Sequence, residues 1–297
     1  MAETVHLVGY GSQGAAWAGN LRDSGWAVEV YLKGEASPSW KTAVAHGFLP
    51  RPIAALTEAS GIVAFLCPDD LIGALYREFL APRAVELSLV LAHGYAIYAG
   101  DLRPVRTAHV VRLLAPKAIG PELRRAYVPG KPHGLKAAVT HLQQAPELAA
   151  LAAGLGFAPE NLIPCAPEVE AVGDLISEQM LLCGGLFTLI AWTMDEMKKA
   201  GVPDALIHEE CITELGLIAR MIKERGMVGT MGKISRAAAA GAALTAEALE
   251  ASGARTALAE RAARIKDRRF AEEYRDGTWR ASLARLESTL RAAEERS

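Results

Sequence analysis

Cysteine is scarce in this chain. Its four residues, Cys67, Cys165, Cys183 and Cys211, stand far apart with no C-x2-C pair. Three of them lie in apolar surroundings, so they read as reduced core residues of a cytosolic protein. An excess of one charge is also missing. Thirty-two Lys and Arg against 34 Asp and Glu leave a net charge of −2, which removes any electrostatic case for nucleic acid. No basic stretch followed by a long apolar run opens the chain, so no signal peptide is expected. The longest apolar run, Met180–Thr193, is too short to span a bilayer, so no membrane partner is expected. Internal repeats are lacking too. What remains is a folded globular protein of 297 residues, half of them hydrophobic, long enough for two domains.

The first half alternates strand and helix. Thr4–Val8 is an apolar strand that runs into Gly9-Tyr10-Gly11-Ser12-Gln13-Gly14, then a helix over Ala15–Ser24 and a strand over Ala27–Leu32. This is the dinucleotide-binding fingerprint G-x-G-x-x-G in its required strand–turn–helix context. Gly9 permits the tight turn, Gly11 lets backbone approach a pyrophosphate, and Gly14 allows close helix–strand packing. The helix start offers N–H groups and a positive dipole end to the phosphates. After the second strand come Lys33, Ser37 and Ser39, suited to a ribose 2′-phosphate, with Glu35 opposing one if it points inward. The expected cofactor is therefore NADPH, with NADH not excluded.

Further strands are expected at Gly61–Leu66, Leu87–Ala92, His109–Leu114 and Leu135–Thr140, giving an α/β, doubly wound and mostly parallel Rossmann sheet. Pro68 and Asp69 follow the third strand, at the carboxyl edge where cofactors lie. His93 and Lys117 follow the fourth and fifth, facing the same crevice. Gly154–Pro167, with three prolines, marks a boundary. The domains are read as 1–163, binding the nucleotide, and 164–297, all helical.

The helical half carries two pairs of acids. In Gly173–Trp192, a stretch of core character, Asp174 and Glu178 share a face with Leu181, Gly185, Leu189 and Trp192. In Leu206–Lys223, Glu210 and Glu214 fall on the stripe of Ile207, Cys211, Leu217, Ile218 and Met221. One Glu-x3-Glu pair is ordinarily a solvated helix patch. Two pairs on apolar stripes suit hard divalent cations, which take oxygen ligands. Ala237–Leu244 reads as a tight helix contact without chemistry, and Arg261–Glu295 as a solvated, charge-laced helical tail.

Taken together, these stretches resemble ketol-acid reductoisomerases. Gly9–Gly25 is similar to that family's cofactor loop, Leu32–Trp40 to its phosphate-binding loop, Ala92-His93-Gly94 and Ala115-Pro116-Lys117 to its histidine and lysine motifs. Asp174–Gln179 with Leu182–Gly185 is similar to its first metal helix, Glu210-x3-Glu214 to its second, Ile234-Ser235 to its substrate-contacting pair, and Glu170 to a further active-site acid. The resemblance implies two Mg2+ ions held by Asp174, Glu178, Glu210 and Glu214. It implies a 1,2-alkyl shift in a 2-hydroxy-3-oxo acid such as 2-acetolactate, then reduction by NADPH to a 2,3-dihydroxy acid, as in branched-chain amino-acid synthesis. His93, Lys117 and Glu170 would serve the catalytic site, and Ile234, Ser235 and Ala238 the substrate. It further implies a knotted helical domain and a homodimer whose metal site is shared, Glu210 and Glu214 coming from the partner, and a cytoplasmic location.

The departures lie around the substrate. Ala15 and Trp17 stand where the family has histidines, Val172 where it commonly has Glu, and Pro116–Pro121 has lost its Pro-Lys-Gly-Pro-Gly-His form. The run Ser235–Gly241 replaces the family's Ser-Asn-Thr-Ala-Glu-Tyr-Gly. A diverged reductase or isomerase of another 2-oxo acid is the second reading. A cofactor-binding protein without catalysis is the third, opposed by the retained acids.

Overall fold

A computed structural model describes residues 3–140 and 145–295. The chain forms two compact units, Met1–Gly173 and Asp174–Ser297, and the division falls inside a helix rather than in the proline-rich stretch before it.

The first unit is built on one eight-stranded sheet. Its strands are β1 (Thr4–Val8), β2 (Ala27–Leu32), β3 (Arg51–Pro52), β4 (Gly61–Phe65), β5 (Leu87–Leu91), β6 (His109–Pro116), β7 (Ala137–Val139) and β8 (Leu162–Pro164), in the order β3-β2-β1-β4-β5-β6-β7-β8. The pairings from β3 through β2, β1, β4 and β5 to β6 are all parallel. Strand β7 is antiparallel to β6 and parallel to β8. The mostly parallel, doubly wound sheet is thus the one expected. β3 and β8, at two and three residues, are too short to carry a periodic signal.

Side chains alternate across this sheet, as a period of two requires. Leu7, Val30, Ala64, Val90 and Leu114 pack on one face, beneath helices α1 (Ser12–Asp23) and, further along the chain, Pro146–Gly154. Val63, Phe65, Leu89, Leu91 and Leu113 pack on the other, against Ile72 and Tyr76 of the chain after β4. Both faces are buried, which is why these strands read as near-continuous apolar runs. Register aligns Val8 with Tyr31 and Phe65, Phe65 with Leu91, and Leu91 with Leu113. The residues after β1, β4, β5 and β6 therefore leave the sheet along one edge. Beside β1 the strand order reverses, and that is where such a fold opens a ligand crevice.

The second unit is helical. Helix Pro167–Ser177 enters it from the first, followed by Gly185–Lys199, Asp204–His208, Glu214–Met231, Arg236–Ala251, Ala254–Lys266, Arg269–Asp276 and Trp279–Glu295. Its small core joins Ala191 and Met194 to Ile207, Cys211 and Ala293. Arg261 donates to Gln179 (2.7 Å) and to Glu273 (2.8 Å), and Arg264 also pairs with Glu273, so the tail holds onto the chain beside Glu178.

Several sequence expectations are corrected here. The stretch Gly173–Trp192 is not one core helix. It is interrupted by a π-helical turn, Glu178–Leu182, and Leu181, Leu189 and Trp192 are 61%, 47% and 59% exposed. Leu206–Lys223 is likewise broken by a π-helical turn, Glu209–Thr213. Ile207 and Cys211 are buried there, while Glu210, Glu214 and Leu217 are exposed. A stripe of helical period marks a surface that wants covering, and the pattern alone does not say that the same chain covers it. Of the four cysteines, all free, Cys211 is buried and Cys183 is exposed. Arg236–Ala251 has no buried residue, so the alanine-rich run makes no tight internal contact. Counted through its π turn, Pro167–Lys199 spans 33 residues with a mean hydropathy of 1.5 in its most apolar window. By length and composition alone this longer span would reach across a bilayer, a test that the core helices of soluble proteins also pass.

A partly buried polar network ties β1, β2 and β3. His6 Nδ1 lies 3.0 Å from the Tyr31 hydroxyl, which donates to Glu29 (2.6 Å), and Arg51 donates to both Glu29 and Tyr31. Burial holds His6 below the usual histidine pKa, and burial does the same to His109, whose Nδ1 lies 3.1 Å from the Tyr76 hydroxyl. A histidine depressed in the folded state binds its proton more readily when unfolded. Its contribution to stability is therefore complete above the unfolded value near 6.5 and is lost as pH falls through that window. Chemical denaturation is expected to show lower stability at pH ~5.5 than at pH ~7.5, and His6→Gln is expected to flatten the difference. Equal midpoints in the wild type would contradict the assignment.

Candidate active site

Glycine shapes the turn after β1. Gly9 has φ +108°, a left-handed conformation that other residues rarely adopt, and a Cβ there would meet the Leu66 carbonyl oxygen at 2.6 Å. At Gly14 a Cβ would meet the Gly9 carbonyl oxygen at 2.6 Å, whereas beside Gly11 there is open space. The fingerprint also forms the first turn of α1, which begins at Ser12 with Gly11 as its cap, three residues before the expected Ala15. The N–H groups of Ser12, Gln13 and Gly14 are consequently among those that a helix leaves without internal partners. Tyr10 is buried, with its hydroxyl 3.0 Å from His46 Nδ1, so its backbone rather than its ring borders the turn. Gln13 Nε2 donates to the Ala118 carbonyl (2.7 Å), tying the turn to the loop that carries Lys117.

At the end of β2, Lys33 is exposed. Ser37 caps the helix Pro38–Ala45, accepting from Trp40 N–H and donating to the Gly34 carbonyl, and Ser39 stands in that helix's first turn. Pro68 and Asp69 open the helix Asp69–Leu75 at the end of β4.

At the same edge, the ends of β5 and β6 meet a helix. Glu170, on Pro167–Ser177, has a side chain only 2% exposed. It accepts from the Gly94 N–H (2.7 Å) and from Lys117 Nζ (2.5 Å), while His93 Nε2 lies 3.8 Å away. His93 Nδ1 faces Asp69 at 3.6 Å. A buried carboxylate is tolerable only when paired and hydrogen-bonded, and Glu170 has both a cation and a backbone donor. The structure thus brings together His93, Lys117 and Glu170, from three separate parts of the sequence, with Asp69 beside them. Asp69 next to His93 was missed by the sequence reading, as was the Gly94 amide. No spacing along the chain links 69, 93 and 170.

Asp174 follows Glu170 by one turn of the same helix. Ligand atoms of His93, Glu170 and Asp174 all lie within 4.8 Å of one another. Two carboxylates with an imidazole make an oxygen-rich donor set that fits a hard divalent cation. Glu178, Glu210 and Glu214 do not join this grouping among the described residues. Glu178 opens one π-helical turn and Glu210 lies within the other, a distortion frequent at functional sites. The first π turn is permitted by Gly184 and Gly185, where Cβ atoms would lie 2.0 Å from the Gln179 and 2.3 Å from the Met180 carbonyl oxygen. That glycine pair is the signal from which the turn could have been read. Ser235 caps the helix Arg236–Ala251, its Oγ accepting from Ala238 N–H (3.1 Å), and Ile234 beside it is half-buried.

Gly94 is the tightest point. A Cβ there would lie 1.8 Å from the Pro167 carbonyl oxygen and 3.1 Å from Glu170 Oε2. Gly94→Ala is expected to push the start of helix Pro167–Ser177 off the sheet edge and cut turnover at least ~10-fold, as misplacement by about 1 Å does, while affinity for the dinucleotide changes little. Unchanged turnover would show that Glu170 does not depend on this contact.

Known proteins match along nearly the whole chain. Residues 1–159 match the family described as acetohydroxy acid isomeroreductase, NADPH-binding domain, and residues 168–297 the ketol-acid reductoisomerase C-terminal domain. A relative named ketol-acid reductoisomerase (NAD(P)(+)), from Metallosphaera sedula, is 34% identical over 91% of this chain and 81% of its own length. One from Sulfurisphaera tokodaii, named for NADP(+), is 34% identical over 92% and 82%. The solved structure of an NADH-preferring ketol-acid reductoisomerase from an uncultured archaeon superposes with a TM-score of 0.82 at 27% identity, covering 99% of this chain and 93% of that one. With a Rossmann half that carries the fingerprint and a helical half matched throughout, this chain belongs to the ketol-acid reductoisomerase family.

Proposed function

We infer that the chain catalyses alkyl migration in a 2-hydroxy-3-oxo acid such as 2-acetolactate, followed by NADPH-dependent reduction to the 2,3-dihydroxy acid. The supporting observation is the buried Glu170 carboxylate, paired with the exposed Lys117 beside His93 at the carboxyl edge, one helical turn from Asp174. Mg2+ would be held by Asp174 and Glu178, with Glu210 and Glu214, the donor set for a hard cation. When bound, the ions would supply Lewis-acid polarisation of substrate oxygens and the nicotinamide cofactor the hydride.

The chain's own groups do the rest. The amides of Ser12, Gln13 and Gly14 and the start of α1 bind the pyrophosphate. Lys33, Ser37 and Ser39 favour a 2′-phosphate, while exposed Glu35 leaves NADH as the alternative. Pro68 and Asp69 border the cofactor edge. Glu170 holds the Lys117 ammonium ready to donate to a substrate oxygen as charge builds there. Ser235, with Ile234 and Ala238, takes the substrate carboxylate. Domains 1–163 and 164–297 divide the labour, with the cofactor on the first and the metal on the second. The rewritten run Arg236–Ala240, exposed on its helix, favours a second reading in which a different 2-oxo acid is the preferred substrate.

We further read the exposed stripe of Leu181, Leu189, Trp192 and Leu217 as the face covered by a second copy, making a homodimer in which Glu210 and Glu214 complete the partner's metal site. Four free thiols accord with a cytoplasmic location.

The first test is NADPH oxidation by purified protein with 2-acetolactate, with Mg2+ and then with EDTA. Oxidation is expected only with the metal and faster with NADPH than with NADH. Glu210→Gln is expected to abolish it with NADPH binding intact. Binding without oxidation would favour the second reading. Mixing inactive Asp174→Asn with inactive Glu210→Gln protein after subunit exchange is expected to restore part of the activity. A mixture that stays inactive, although mass spectrometry shows heterodimers, would place all four acids of one site in a single chain.

A further inference from the structure

The loop after β6 carries Lys117 and is held largely through its backbone. Ile119 is 66% exposed, so that side chain anchors the loop in no core. Backbone contacts hold it instead. The Lys117 N–H donates to the Lys136 carbonyl (2.8 Å), from the side of β7. Gly120 is buried against the start of α1, where a Cβ would lie 2.1 Å from the Ser12 carbonyl oxygen and 2.6 Å from Ser12 Oγ. Between these two points the Ala118 carbonyl accepts from Gln13 Nε2 at 2.7 Å. A carbonyl oxygen can only accept, so the Gln13 amide must turn its nitrogen to Ala118, and its Oε1 is left buried. Gln13 belongs at the same time to the glycine turn. Its own N–H is among the first-turn amides of α1, while its side chain reaches a loop 105 residues further along the chain.

We propose that Gln13 is the positioning residue of the Lys117 loop. A hydride passes between two molecules only when both are held in a narrow range of distance and angle. The glycine turn places the dinucleotide, and Lys117 places an oxygen of the substrate. The Gln13 amide sets the spacing between the two. Glu170 holds the lysine by its ammonium, and Gln13 holds the backbone one residue beyond it. Loss of the Gln13 donor frees the Ala118 carbonyl and lets the loop drift from α1, with Lys117 still tethered through Glu170 and Lys136. What Lys117 then does rests on the reductoisomerase reading. The tie between turn and loop does not.

The test compares two variants with the wild type. Gln13→Leu keeps the bulk and drops the donor, and Gln13→Glu sets a carboxylate oxygen against the Ala118 carbonyl. At saturating NADPH, kcat with 2-acetolactate is expected to fall about 10- to 100-fold in both, the cost of misplacing a group by about 1 Å. The NADPH dissociation constant is expected to stay within about threefold, because the backbone amides of the turn are unchanged. Hydrogen exchange followed by mass spectrometry is expected to run at least about fivefold faster over residues 117–123 in Gln13→Leu, with β1 and β2 unaltered. Weaker NADPH binding with kcat preserved at saturation would overturn the proposal and return the Gln13 side chain to the cofactor. Unchanged exchange over 117–123 would overturn it whether or not kcat falls, and faster exchange throughout the sheet would replace a local role by a general loosening. If the wild type does not turn over 2-acetolactate, the reductoisomerase reading fails while the exchange comparison still decides whether Gln13 holds the loop.

Discussion

A carboxylate with almost no contact with water governs this molecule. Glu170 is acceptable in its position only because Gly94 offers a bare amide and Lys117 a cation. Each of those partners is supplied by the end of a different strand. The register that aligns β5 with β6 delivers both to one place. Glycine at 94 is then a requirement of distance, since the backbone of Pro167 presses against the position a side chain would occupy. Local sequence, sheet register and the chemistry of one buried charge are thus a single constraint.

Much of the first unit was legible in the sequence, for reasons that can be named. Strands buried on both faces announce themselves as apolar runs, and the glycines at 9 and 14 stand where backbone atoms leave no room for a Cβ. The acids and bases were visible as residues at strand ends, so Lys117 and His93 could be placed. Their partners could not, because the approach of Asp69 to His93 depends on how far two strands are offset and not on any pattern along one of them. β3 and β8 escaped for a simpler reason, being too short to show a period.

The second unit was read less well. Its apolar stripes have the helical period correctly, and the error lay in equating apolar with interior. Trp192 and Leu181 are exposed while Ala191 and Met194 are covered, so the core of this unit runs along a different side of the helix from the one the acids suggested. The same confusion made one helix of two. The π turns have no hydropathy signature. Only Gly184-Gly185, which lets the Gln179 and Met180 carbonyls close in, betrays the first of them.

Those π turns bear on how the protein tolerates change in chain length. A π turn is one residue more than an α-helix needs, absorbed without unwinding. Deleting a single residue between Glu178 and Leu182 would return the segment to regular α-helix. The helix after it would keep its place, because the residue removed is the one that the turn had taken up locally. A second deletion finds no such reserve and would turn the side of helix Gly185–Lys199 that faces Ile207 by about 100° and shift it by about 1.5 Å. At this place one residue can be lost with the rest of the unit undisturbed, a tolerance that the regular helices on either side do not have.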